Sequence, residues 1–247
     1  MEETEERKKK NSGCLYLAVL VVLIILGSAL FILRSGMFAV QTILVQGNRQ
    51  VNQSEILRLA DYIKGKNLFL TDTKELRRKV LLHPLLNSAD FQKRIPDTIT
   101  ITVTERASVA LVLVPKGVIE VDRQGVFLRR LEGWPTDDYP VINGVNVPDT
   151  AGPGQILSDA ALQEALRVLA EGPPALIPFI GEIYTNQIQQ LTIFLTTGVE
   201  VRLGQAKASK EKLEALLELL NDESYQSFEP GVRYIDFTAS KPVIGWD

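Results

Sequence analysis

A run of twenty residues near the N-terminus, Cys14 to Leu33, contains no charged residue and no Asn, Gln or Pro. As an α-helix rising 1.5 Å per residue, the run would be about 30 Å long, which matches the hydrocarbon thickness of a bilayer. A helix that is apolar on every side over this length is typical of a membrane span. The sequence therefore predicts a single transmembrane helix over residues 14–33.

The charges that flank this run predict its orientation. Arg7 and the lysines at positions 8–10 precede it, whereas only Arg34 follows it closely. Because basic residues stay on the cytoplasmic side, residues 1–13 are predicted to form a cytoplasmic tail and the bulk of the chain to lie outside the membrane. The run is longer than the apolar region of about 7–15 residues in a cleaved signal peptide, so an uncleaved signal anchor is favoured.

Composition narrows the functional classes of the remaining chain. It is ordinary for a globular protein, with 45% hydrophobic and 23% charged residues, and the net charge of -3 disfavours nucleic acid as a partner. Cys14 and His83 are the only residues of their types, so disulfides, a metal cluster and a Cys–His catalytic pair are not expected. No phosphate-binding Gly-rich loop or nucleophile elbow is present. We therefore expect no enzyme, cofactor, metal site or small-molecule substrate. A membrane-tethered hydrolase would need a buried carboxylate pair, which no residue spacing predicts.

Residues 38–106 carry the pattern of a small α+β domain. The predicted order is strand, helix, helix, strand, strand. Asn52 with Glu55, and Asp72 with Glu75, are spaced as capping boxes that start the two helices. The predicted elements are a strand over Phe38 to Gln46 with a bulge near Gln41-Thr42, a helix ending at Gly65, a helix ending at His83-Pro84, and strands over Ala89 to Ile95 and Thr98 to Glu105.

Residues 107–247 predict a second, sheet-rich domain. Alternating apolar runs and Gly-containing turns indicate a mixed, mostly antiparallel sheet with two or more helices. The predicted strands are Val109 to Val114, Val118 to Val121, Val126 to Leu128, Glu182 to Thr185, Ile188 to Leu195, Val199 to Leu203, Arg233 to Phe237 and Val243 to Trp246. The predicted helices run from about Ser158 to Glu171 and Ala208 to Asn221, and the stretch from Trp134 to Gly154 is predicted to be irregular.

Several motifs resemble those of the FtsQ/DivIB family of bacterial division proteins. Directly after the anchor, Val40, Ile43, Val45 and Gly47 give the V-x-x-I-x-V-x-G opening of a POTRA domain, and T-E-R-A (Thr104 to Ala107) resembles the ending of this domain in that family. The second domain resembles the family's β domain in three stretches: Y-P-V-I at 139–142, G-V-E-V-R-L at 198–203, and the terminal R-Y-I-D-F and V-I-G-W.

This resemblance implies a non-enzymatic scaffold of the divisome, located at the division septum. The implied partners are FtsB/DivIC-type and FtsL-type bitopic proteins, with other divisome proteins reached through the POTRA domain. In the family the terminal strand is where the FtsB/DivIC-type partner docks. Carried over to this chain, the partner-binding residues are Tyr234, Lys241, Val243, Ile244, Gly245 and Trp246.

The residues themselves, without the resemblance, indicate an edge strand near the C-terminus but do not identify a partner for it. Proline has no backbone N–H to donate to a neighbouring strand, so Pro242 suits the start of an edge strand. The family often has Gly or Ala at this position. The register in which a partner strand would dock is therefore left open. The apolar residues around it could equally close the core of the sheet. An alternative function is a POTRA-type accessory in secretion or envelope assembly, which would bind extended polypeptides on the Phe38 to Gln46 or Ala89 to Ile95 edge.

Overall fold

The computed structural model describes residues 16–28, 36–134, 139–186, 190–205, 209–239 and 241–246. Residues 16–28 form helix α1, whose side chains are exposed. Cys14, Leu15 and residues 29–33 of the predicted span lie outside the described residues. Among the residues that are described, no helix is both long enough and apolar enough to cross a bilayer. The chain divides into two compact units, Met1–Leu82 with Leu86–Glu105 and His83–Leu85 with Arg106–Asp247.

The first unit has the predicted order of strand, helix, helix, strand, strand. Its elements are β1 (Thr42–Gln46), α2 (Gln53–Ala60), α3 (Thr73–Val80), β2 (Leu86–Arg94) and β3 (Thr98–Glu105), with short 3-10 turns at Gly36–Phe38 and Asp61–Ile63. The sheet order is β1-β3-β2, in which β1 is parallel and β2 antiparallel to β3. Buried side chains of both helices, among them Ile56 and Leu76, pack in the core of this unit.

Hydrogen bonds explain where these elements begin. The Asp72 carboxylate accepts from the amides of Lys74 and Glu75, so it caps α3 as predicted. The Asn52 side chain makes no such cap, and its amide instead donates to Glu55, so the predicted capping box at α2 is wrong although the helix start is right. The amides of Gln41 and Thr42 both donate to the carbonyl of Asp97, as expected of the bulge.

The first strand is shorter than predicted. Phe38 belongs to the 3-10 turn, and Ala39 makes only an isolated bridge to Asn67, so regular pairing starts at Thr42. The second helix ends at Val80 and not at His83, because the capping Leu81 already leaves the helical conformation. Helix α2 ends at Ala60, before the predicted Gly65, and β2 starts at Leu86, before the predicted Ala89. These differences lie at element ends, where local hydrogen bonding decides the boundary.

The second unit is built on a nine-stranded mixed sheet of order β12-β11-β10-β9-β8-β7-β4-β5-β6. Its strands are β4 (Ala110–Val114), β5 (Gly117–Val121), β6 (Phe127–Leu131), β7 (Val141–Asn143), β8 (Ile180–Thr185), β9 (Leu191–Leu195), β10 (Glu200–Gly204), β11 (Val232–Asp236) and β12 (Val243–Trp246). Its helices are α4 (Ala160–Glu171), α5 (Ser209–Asn221) and α6 (Glu223–Phe228). Five of the pairings are antiparallel and three are parallel, which confirms a mixed and mostly antiparallel sheet.

Helices α4 and α5, both predicted, cover the sheet with buried apolar side chains. Leu162, Ala165 and Leu166 of α4 are buried in one core cluster with Leu213 and Leu216 of α5. Strand β7 and helix α6 were not predicted. Strand β7 lies within the stretch that was expected to be irregular, and it pairs in parallel with both β4 and β8. Helix α6 follows α5 directly.

Candidate partner-binding edge

Strand β12 lies at one end of the sheet order of the second unit. It pairs antiparallel with β11 on one side, and within the described residues no strand pairs with its other side. This confirms that the last strand is an edge strand. Pro242, which cannot donate to a ladder, directly precedes it.

The pairing shows which backbone groups of β12 face outward. The Phe237 amide donates to Arg202 on the β10 side, so by strand alternation the backbone groups of Tyr234 and Asp236 face β12. Their partners Gly245 and Val243 face back toward β11. The N–H and C=O groups of Ile244 and Trp246 are therefore on the open side of the strand, where a further strand could pair with them.

One face of β12 packs on aromatic side chains of α6. The Trp246 ring lies 4.8 Å from the ring of Phe228, which in turn lies 5.5 Å from the ring of Tyr225. Tyr225 is buried, and burial, followed by the nearby Glu229 charge, raises its pKa to about 12. Trp246 nevertheless remains 52% exposed. The Trp246 side chain is therefore only partly covered by α6.

The Asp222 side chain caps the N-terminus of α6, the helix that contacts Trp246. The Asp222 carboxylate accepts from the amides of Ser224 and Tyr225 at the start of the helix. These hydrogen bonds, first that from the Tyr225 amide, lower the pKa of Asp222. The carboxylate is therefore ionised near neutral pH, as the N-terminus of a helix favours.

The opposite face of β12 carries a second stack. The Tyr234 ring lies over Gly245, where an added Cβ would come within 2.1 Å of a ring carbon, so only glycine fits beneath it. The Arg202 guanidinium lies 4.3 Å from the centre of the same ring and pairs with Glu200 at 2.8 Å. The hydrogen bond to Glu200 raises the pKa of Arg202. The stack therefore fixes a cation over the ring that covers Gly245.

The turn between β11 and β12 is also held by a carboxylate. Asp236 accepts from both the amide and the hydroxyl of Thr238. The hydroxyl bond in particular lowers the pKa of Asp236. Lys241 and Val243 follow this turn as exposed residues, and Val243 is 48% exposed.

The structure thus distributes the predicted binding residues over two faces and the edge. Val243, Gly245 and Tyr234 belong to the outer face, whereas Ile244 packs against the core and Trp246 shares its face. The predicted set omitted Phe228, Tyr225 and Arg202, which support it. The signal for the two aromatic residues was present, because an aspartate followed at three and six positions by aromatic residues is consistent with a capped amphipathic turn.

Two buried carboxylates elsewhere in the second unit bear on the hydrolase alternative. Glu120 is 3% exposed, and its carboxylate accepts from the Ser108 hydroxyl and from the Nε and Nη2 groups of Arg129. Asp122 is 6% exposed, pairs with Arg106 at 2.5 Å and accepts from two backbone amides. Each carboxylate is occupied by its own cation and other donors, which is the arrangement of structural ion pairs. Among the described residues, no three metal-ligating side chains form a group that could hold an ion.

Comparison with known proteins gives the same family from both units. A family model described as "POTRA domain, FtsQ-type" matches residues 38–106, and one described as "Cell division protein FtsQ/DivIB, C-terminal" matches residues 110–237. The cell division protein FtsQ of Myxococcus fulvus is 27% identical over 220 residues, which are 87% of this chain and 74% of that protein. FtsQ of Syntrophotalea carbinolica is 30% identical over 196 residues, which are 75% of this chain and 66% of that protein.

A solved structure is also similar. It is the major extracytoplasmic domain of the trans isomer of the cell division protein DivIB from Geobacillus stearothermophilus. The identity is 21%, the TM-score is 0.33, and the match covers 45% of this chain and 87% of that one. A similarity of this size carries no structural inference, whereas the C-terminal family model alone spans more than half of the sequence. The chain therefore belongs to the FtsQ/DivIB family of cell division proteins.

Proposed function

We propose that this protein is a membrane-anchored, non-enzymatic scaffold of the divisome that binds a partner strand along β12. The observation that carries the proposal is the outward direction of the Ile244 and Trp246 backbone groups on an edge strand. A partner strand gains affinity from main-chain hydrogen bonds and specificity from side chains that alternate along it. The family role in cell division supplies the context.

The proposed partners are FtsB/DivIC-type and FtsL-type bitopic proteins. An edge of four residues offers few hydrogen bonds, so pairing with it is expected to be weak between free molecules. When both partners are held in one membrane, the second contact becomes effectively intramolecular and occupancy rises. Other divisome proteins would bind the POTRA unit.

The same proposal includes the anchor and its orientation. Residues 16–28 are helical, with exposed side chains that include ten large hydrophobic ones. The uncharged run extends from Cys14 to Leu33, and basic residues precede it. We therefore propose a single span with the N-terminus in the cytoplasm, the C-terminus outside the membrane, and location at the division septum.

The test is co-purification of the full chain with an FtsB/DivIC-type partner. Ile244 packs on the core, so substituting it would also disturb folding, whereas Val243 is half exposed on the outer face. Val243→Glu places a charge beside the incoming strand. We expect at least about a tenfold loss of affinity, which is about 1.4 kcal/mol.

The matched control is Leu113→Glu, because Leu113 is 41% exposed on β4, a strand with neighbours on both sides. This variant should retain binding, and both variants should unfold at temperatures close to that of the parent chain. Equal binding by Val243→Glu and the parent chain would rule out docking along β12.

A second candidate function rests on the open edges of the first unit. Strands β1 and β2 are the outer strands of their sheet among the described residues, so either could accept an extended polypeptide. The segment Lys66 to Leu68 already bonds the backbone of Phe38 and Val40, which leaves Thr42–Gln46 as the accessible part of the first edge. This arrangement would suit a POTRA-type accessory in secretion or envelope assembly.

A further inference from the structure

The first unit exposes large apolar side chains at one end. Met37 is 58% exposed, Phe69 43%, Leu70 78% and Ile95 68%. We call these four residues the apolar tip. The rings of Phe69 and Phe38 lie 5.1 Å apart, which joins the Met37 turn to the Phe69-Leu70 turn.

Hydrogen bonds made by its neighbours also bring Ile95 to this end. Lys93, two residues before it, donates to the carbonyl of Phe69 at 3.1 Å. Asp97, two residues after it, accepts from the amides of Gln41 and Thr42. The apolar tip therefore consists of residues from three separate turns of one unit. Such a group differs from the single, scattered apolar residues that are normal on a protein surface.

Several backbone groups of the Phe69-Leu70 turn are hydrogen-bonded within the unit. Asn67 accepts the Phe69 amide on its side-chain oxygen at 2.9 Å and the Leu70 amide on its carbonyl at 3.1 Å. The Lys93 ammonium donates to the carbonyls of Phe69 and Thr71. These bonds lower the cost of placing the turn in an apolar medium, because the groups that make them do not lose a partner there.

Chain length indicates which apolar medium is within reach. Gly36, the first residue of the Met37 turn, is three residues beyond Leu33, where the uncharged run ends. Three residues extend at most about 11 Å. The headgroup layer of a bilayer is about 5–7 Å thick on each side. If the run spans the membrane, the Met37 turn lies at or near the lipid surface.

We infer that the apolar tip inserts into the outer headgroup and acyl boundary of the membrane that holds the anchor. The inference rests on the proposed membrane anchor. Shallow insertion of large apolar side chains is how interfacial segments bind lipid, and lysines near the surface favour anionic headgroups. Lys66 directly precedes the Asn67–Leu70 turn and is exposed, whereas Lys64 pairs with Asp61 at 2.7 Å. The tip would thus hold the first unit in one orientation on the bilayer.

The test uses the full chain with Cys14→Ser, reconstituted as one copy per nanodisc of equal parts phosphatidylcholine and phosphatidylglycerol. A fluorescent label is placed on Leu70→Cys or Ile95→Cys. The matched control is Leu82→Cys, which is 69% exposed in the same unit but follows α3, about 12 Å of helix away from the tip. Lipids that carry a nitroxide high on the acyl chain serve as the quencher. We expect quenching at Leu70 and Ile95 and none at Leu82.

A third position separates the inference from the anchor on which it rests. Val22→Cys, in the middle of α1, should be quenched by a nitroxide deep in the acyl chain. Quenching at Val22 with equal, low quenching at Leu70 and Leu82 would overturn the inference and leave the anchor standing. No quenching at Val22 would overturn both. A Leu70 label shielded from aqueous iodide but not quenched by lipid nitroxide would mean that protein covers the tip, which also overturns the inference.

Discussion

At the residue scale, two adjacent side chains explain the T-E-R-A motif. Glu105 belongs to the first unit, where its carboxylate accepts from the backbone amides of residues 49–51 and so closes the loop before α2. Arg106 belongs to the second unit, where it pairs with the buried Asp122. Neighbouring residues of opposite charge thus each organise one turn in their own unit.

The Glu105 cluster makes a pH-dependent contribution to stability. Burial opposes ionisation, but the amides of Gln50, Val51 and Arg49 outweigh it and lower the pKa of Glu105 below its usual 4.5. The carboxylate therefore stabilises the fold at pH values above the unfolded pKa. This stabilisation is lost as the pH falls from that value through the lower folded pKa.

We predict that Glu105→Gln destabilises the first unit by about 1–2 kcal/mol at neutral pH, because the amide accepts these bonds more weakly than the carboxylate. Denaturant titration followed by hydrogen exchange of residues 49–51 measures the effect. The difference from the parent chain should shrink below pH 4.5.

The control for this prediction is Glu75→Gln. Glu75 pairs with Lys79 at 3.4 Å on the exposed side of α3, and such pairs contribute at most about 0.5 kcal/mol. A loss for Glu105→Gln no larger than that for Glu75→Gln, or one that does not depend on pH, would contradict the role given to Glu105.

At the element scale, α6 and β12 depend on each other. A six-residue helix is too short to be stable alone, so its cap and its aromatic contacts hold it. In return, Phe228 gives Trp246 the contact that positions the end of the edge strand.

We predict that Phe228→Ala loosens the end of β12 and costs about 1–3 kcal/mol, because it removes a partly buried ring between two aromatic neighbours. In a Trp134→Phe background, Trp246 is the sole tryptophan, since the chain has two. Its emission should shift to the red and become more accessible to iodide.

Tyr184→Ala is the matched control, since Tyr184 is a half-exposed ring on β8 of the same sheet. It should leave the Trp246 emission unchanged. If Phe228→Ala also left it unchanged, Phe228 would not position the strand.

The same two elements show what could be predicted from sequence. The bounds of β3 and β12 were predicted correctly. Strand β3 alternates apolar residues with threonines after the Pro96-Asp97 turn, and β12 is a short apolar run directly after Pro242. The three-residue β7 was missed because nonlocal pairing with β4 and β8, and not its own pattern, makes it a strand. The outward direction of Ile244 could not be read from sequence, because it depends on the register in which β12 pairs with β11.

At the scale of the whole molecule, family membership and the proposed edge make a prediction about location. A scaffold of the division complex is concentrated wherever its partners assemble. A secretion or envelope accessory has no such reason to gather at one place.

We predict that a fluorescent fusion to the N-terminus of the full chain gathers at midcell during division. A fusion to residues 1–35 alone, which retains the uncharged run but none of residues 36–247, is the control and should line the envelope evenly. An even distribution of the full-length fusion would favour the accessory function over the scaffold.

Pro242 and Lys241 also bear on edge-to-edge pairing between two copies of the protein. An open edge on a nine-stranded sheet is a template for a second copy of the same sheet. Proline removes one donor at the start of β12, and the exposed lysine before it places a charge in the path of a longer pairing. Natural sheets use both devices against edge-to-edge aggregation. Both features would let the edge bind the short partner strand proposed above while resisting growth into a fibre.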